Sequence, residues 1–150
     1  MEGFPGKEPQ NKIVFIFPAI EKERGEIERV AQKYNPQNLE AFVRDFYEKA
    51  LQSKLLDLTE EMWGALGNTD SFDIPRNGWE QVAEHINHTN QEIGATRNWE
   101  DLKQKIEQGH ELDAPIILKH LNETYLVSGN TRLMVARALR KTPKVLVVEI

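Results

Sequence analysis

The chain has 150 residues, 39% hydrophobic and 29% charged, with a net charge of −5 and no cysteine. This is the composition of a polar globular domain, and it excludes disulfides, thiolate metal sites and a cysteine nucleophile. No apolar run approaches the roughly 18 residues of a membrane span, and the first residues lack the regions of a secretory signal, so a cytoplasmic location without membrane contact is expected.

In chain order, residues 1–11 combine Gly, Pro and charge and read as a tail. "KIVFIF", 12–17, is β-branched and aromatic and predicts a short strand ended by Pro18. Residues 19–34 read as a charged helix with Ile20, Ile27, Val30 and Ala31 on one side. Asn35 and Pro36 suit the N-cap and first position of the next helix. In it Leu39, Phe42, Val43, Phe46 and Ala50 recur at helical spacing, a stripe that reads as core. "TEEMWGAL", 59–66, predicts another short helix.

The punctuation changes after Gly67. "GNTDSFDIPRNGW" brings Gly, Asn, Asp and Pro in quick succession, which predicts a boundary near residue 70. The expected organisation is therefore a mainly helical N-terminal extension over 1–70 and an α/β (α+β) domain over 71–150. Helices are expected over 78–90 and 98–108, the second ended by Gly109. Strands "APIIL" and "TYLVS" follow, joined by a hairpin loop at Asn122–Glu123. A helix over 130–141 and a last strand "KVLVVEI" complete the pattern.

Charge is uneven along this order. Residues 111–150 hold six Lys or Arg against four acids, a net of +2, which leaves −7 on the first 110. An acidic body is a poor general binder of duplex DNA, whose affinity rests on neutralised phosphates. The basic end could hold a small anion, but charge alone favours reading it as a helix with ordinary solvated charges.

The junction "SGNTR", 128–132, draws that possibility to one place. A helix start leaves backbone N–H groups without internal partners at the positive end of the helix dipole. Gly129 permits close backbone approach, Asn130 or Thr131 can cap the helix or donate to an oxygen, and Arg132 adds a planar fork of donors. The same residues also suit a tight strand-to-helix turn with an ordinary cap. The junction matches neither the Walker A pattern nor the dinucleotide fingerprint.

Other candidates are weaker. His85 and His88 stand three apart on an expected helix, a spacing that can hold a metal, but no third ligand is evident, and no metal site is assigned. Glu92, His110, Asp73 and Glu100 are acid–base candidates with nothing in the sequence to choose among them, so the catalytic residue is left open. Trp79 and Trp99 read as core packing rather than as stacking platforms.

Residues 71–150 resemble the ParB/sulfiredoxin superfamily, most closely over the last forty. The shared features are a helix over Leu102–Ile106, Gly109, an apolar strand from Pro115 to Leu118, the Gly129–Arg132 turn, a helix over Leu133–Leu139 and a closing strand over Val145–Ile150. "FDIPRNGW" is similar to the family's opening strand and turn, and "GATRNW", with Arg97, to a second phosphate-contacting segment.

The resemblance implies a nucleotide site, since members bind CTP, ATP or ADP. It implies that Gly129, Asn130, Thr131 and Arg132, with Arg97, contact phosphate, and that Mg²⁺ accompanies the nucleotide in phosphoryl transfer or hydrolysis. Stand-alone phage proteins with a Gly-Asn-Thr-Arg turn look similar. The family's sulfinic-acid reduction needs a cysteine in this turn, and the chain has none. No helix-turn-helix module is read in the chain, so sequence-specific DNA binding is not expected. The alternatives are a non-catalytic module, such as a phage accessory protein that binds a protein partner or a second copy through its N-terminal extension, or a ParB-like nucleic-acid-associated protein.

Overall fold

Apolar residues alternate between two faces along the strands of one central sheet, and helices cover both faces. The computed structural model describes residues 14–93 and 98–150, with the backbone alone for 89–93. Its elements are β1 (Phe15–Ile16), a 3-10 turn (Ile20–Glu23), α1 (Arg24–Tyr34), α2 (Leu39–Gln52), β2 (Leu55–Asp57) and α3 (Glu60–Gly64). A second 3-10 turn (Ser71–Asp73), α4 (Trp79–Ile93), α5 (Trp99–Glu107) and β3 (Leu112–Asp113) follow. The chain closes with β4 (Ile116–His120), β5 (Glu123–Ser128), α6 (Asn130–Ala138) and β6 (Lys144–Glu149). The fold is α+β, and among the described residues no helix is long and apolar enough to cross a membrane.

The main sheet has the order β2-β6-β4-β5, with β4 and β6 parallel and the outer pairings antiparallel. β1 and β3 form a separate parallel pair. Because side chains alternate along a strand, Ile117, Leu126 and Val145 face α3 to α6, while Ile116, Leu118, Val127, Leu146 and Val148 face α1 and α2. Both faces being covered explains why β4 and β6 read as nearly continuous apolar runs. The Phe42, Val43 and Phe46 stripe lies buried against this second face. Residues before 70 thus supply one edge strand, β2, and the cover for one whole face.

Several local expectations are corrected. Asn35 closes α1, its N–H donating to the Ala31 carbonyl at 2.7 Å, and Asn38 caps α2 by accepting from Ala41 N–H at 3.2 Å. Pro36 and Gln37 are spent on the turn between the helices, which moves the cap three residues on. The hairpin turn is Leu121–Asn122, with φ of 51° and 67°, rather than Asn122–Glu123. Positive φ at both central positions matches the right-handed twist of the flanking strands. Glu123 already pairs with His120. The last helix ends at Ala138, short of the expected 141.

Candidate functional site

β5 ends at Ser128, and the backbone swings through Gly129 into α6. Gly129 has φ of +104°, the left-handed region that an L side chain rarely adopts. A Cβ there would also stand 2.6 Å from the Cβ of Pro115. The glycine is needed for the turn to close against β4, independently of any ligand.

The start of α6 has no side-chain cap. α1 likewise has no side-chain cap at Glu23, whereas α2, α3 and α5 are capped by Asn38, Thr59 and Asn98. The uncapped end opens into a cleft of about 830 Å³. Ser128, Gly129, Asn130, Thr131 and Arg132 form its floor, His85 lines it from α4, and Glu23 and Arg29 stand on the side of α1. Ser128 is only 8% exposed. Its Oγ, like the Oγ1 of Thr131, is buried without a hydrogen-bond partner among the described residues.

The charged walls largely neutralise themselves. Glu26 pairs with Arg29 at 3.2 Å and Asp101 with Lys105 at 3.0 Å, and all four line the cleft. Arg132 donates through Nη1 to the carbonyl of Asp113, which ties the first turn of α6 to β3. Burial pushes its guanidinium below the ordinary value, and the charges of Glu23 and Asp113 push back. An arginine stays charged under any such shift.

The residues singled out in the sequence divide clearly. Gly129, Asn130, Thr131 and Arg132 share the cleft floor. Arg97 and the side chain of Glu92 lie outside the described residues. His110, Asp73 and Glu100 are exposed and do not line the cleft. His85 and His88 line a shallower neighbouring groove with Gln81 and Glu84, and His85 borders both spaces. Trp79 and Trp99 stack on each other at 5.2 Å and pack against the core, joining α4 to α5.

Two contributors are not singled out in the sequence, Ser128, hidden at the end of an apolar strand, and Thr69, while His85 is singled out only as a metal candidate. Thr69 donates to Asn130 Oδ1 at 2.5 Å across 61 residues. The signal available was the tripeptide Gly-Asn-Thr, which occurs at 67–69 and again at 129–131 and which the fold brings together.

Compared with known proteins, the chain matches no family model, no curated protein and no solved structure at a significant level.

Proposed function

We propose that the cleft over the β5–α6 turn binds the phosphates of a nucleotide. One observation carries this. The start of α6, whose N-cap is a glycine, faces a cleft lined by Ser128 and Thr131, and the hydroxyls of both are buried without partners among the described residues. Buried polar groups are nearly always paired, so two hydroxyls without partners among the described residues, next to a helix start, support the reading that an anionic acceptor binds here. A phosphate supplies such oxygens, and the helix dipole favours its charge.

The size of the cleft agrees. About 830 Å³ falls within the roughly 300–1,000 Å³ of small-molecule sites and leaves room for more than a phosphate. The resemblance to the ParB/sulfiredoxin superfamily supports ATP, ADP or CTP as the ligand, with Gly129, Asn130, Thr131 and Arg132 around its phosphates. Among the described residues no group of three or more His, Cys, Asp or Glu is placed to hold a metal. A Mg²⁺ is therefore expected to arrive with the phosphates, as it does where few carboxylates are offered. The reaction class is phosphoryl transfer or nucleotide hydrolysis in the cytoplasm, with α6 and Arg132 holding and neutralising the phosphates. No base is assigned.

A second reading is favoured by a different observation. Val14, Ile16 and Phe17 are 46%, 37% and 41% exposed on the N-terminal segment, an apolar stretch that suits a protein partner or a second copy.

A thermal-shift screen with ATP, ADP, CTP, GTP and pyrophosphate, each with and without Mg²⁺, tests the leading reading. A ligand at 100 times its Kd stabilises the folded state by about 2.7 kcal/mol, so at least one should raise the melting temperature by several degrees. No shift with any of them sinks the nucleotide site and favours the interaction module.

A further inference from the structure

We infer that His85 and Thr69 are positioning residues that hold the Asn130 side chain away from its own helix end, so that the first-turn amides stay available to the ligand. This rests on the phosphate-site reading above. A chain of hydrogen bonds leads from the core to the cleft. Trp63 Nε1 donates to Ser71 Oγ at 2.8 Å, Ser71 and Thr69 share a bond of 2.8 Å, and Thr69 Oγ1 meets Asn130 Oδ1 at 2.5 Å. Asn130 Nδ2 then meets His85 Nε2 at 3.0 Å.

The direction of every bond follows from the chemistry of its ends. An indole N–H only donates, and an amide oxygen only accepts. Thr69 has one proton, and Asn130 Oδ1 takes it, so Ser71 must donate to Thr69. Asn130 Nδ2 only donates, so His85 Nε2 accepts, which defines a neutral ring with its proton on Nδ1. The chain thus runs one way, from the buried Trp63 to His85 at the cleft wall.

Its consequence lies at the start of α6. Short polar side chains in a first turn readily bond nearby backbone N–H groups. Gly129, the cap position, has no side chain to do so. Asn130 has one, but both ends of its amide are drawn sideways, to Thr69 and to His85. Ser128, 8% exposed and lining the same cleft, has a hydroxyl without a partner among the described residues. Self-capping is blocked twice, at Gly129 and at Asn130.

Acceptor and donor replacements at position 85 separate this role from simple packing. Gln can accept from Asn130 through its amide oxygen, whereas Lys can only donate. Titration with pyrophosphate and with ADP is expected to show His85→Gln within about threefold of the parent, and His85→Lys weaker by at least about tenfold. Thr69→Val should weaken binding similarly, and Thr69→Ser should restore it.

Long-range ¹H–¹⁵N spectra of the histidines in the unliganded parent should show His85 with its proton on Nδ1. The opposite tautomer overturns the chain whatever the titrations give. Equal affinities in the Gln and Lys variants overturn the positioning role alone. Failure of the parent to bind pyrophosphate, ADP or any screened nucleotide overturns the phosphate site and this role with it, even if the tautomer is as stated.

Discussion

The two ends of α6 are built from similar residues and used in opposite ways. At its C-terminal end both arginines bond neighbouring carbonyls. Arg137 lies over the Phe72 ring at 4.1 Å, donates to the Phe72 carbonyl at 2.9 Å and pairs with Glu60. Arg140 donates to the carbonyls of Ile74 and Arg137. Cations there also suit the negative end of the dipole. At the N-terminal end Arg132 gives one bond to Asp113, Asn130 is drawn aside, and two hydroxyls stay idle among the described residues. The N-terminal end, with two hydroxyls unpartnered among the described residues, is the end to which the proposed ligand is assigned.

The largest effect should come from Gly129→Ala. A side chain forced to positive φ, with its Cβ at 2.6 Å from that of Pro115, should cost roughly 2–6 kcal/mol by strain and overpacking together. Thermal or urea unfolding measures this, and a melting temperature near that of the parent would mean that the turn can relax. Because this change damages fold and site together, it fixes the scale against which finer changes are read.

Arg137→Ala sharpens the contrast from the other end. Losing the carbonyl bond and the ring contact should cost about 1–3 kcal/mol of stability and leave nucleotide affinity unchanged below the unfolding transition. A loss of affinity with intact fold would show that the two ends are not separate in function.

Arg132→Ala should do both. The carbonyl of Asp113 loses its partner, for about 1–3 kcal/mol. Nucleotide affinity should fall by about 10- to 150-fold if the guanidinium also reaches phosphate. Arg132→Lys should recover only part, since the fork is lost. Calorimetric titration beside denaturant unfolding separates the two effects, and a stability loss with full affinity would confine Arg132 to bracing β3.

How much of this was legible in the sequence depends on the range of the forces involved. The change of hydrophobic period at Gly129 is local, and the strand-to-helix junction lies there. The Phe42–Phe46 stripe is local too, and it is buried. β2 and β3 were not legible, since two or three residues show no period and only their partners, β6 and β1, make them strands. Leu121 at positive φ runs against its own preference, and the hairpin enforces it. The partners of Asn130 were hidden for the same reason. Thr69 and His85 reach Asn130 across 61 and 45 residues, and the tie from Arg132 to the Asp113 carbonyl leaves no mark on either side chain.

Ser128→Ala should have the smallest effect and is unusually diagnostic. Removing a hydroxyl with no partner among the described residues should leave stability unchanged or slightly raised. Losing its bond to a ligand should weaken affinity by about 2- to 13-fold, for a hydrogen bond worth about 0.5–1.5 kcal/mol. A destabilised variant with normal affinity would show that the hydroxyl serves the fold.

The central claim, an anion held at the open end of α6, is tested most directly by following backbone amide resonances while pyrophosphate or the best nucleotide of the screen is added. The amides of Gly129, Asn130, Thr131 and Arg132 should shift together, saturate with one dissociation constant, and move more than those of Arg137 to Lys141 at the other end. Saturable shifts that leave residues 129–132 in place and gather elsewhere, or no shifts at all, would contradict it.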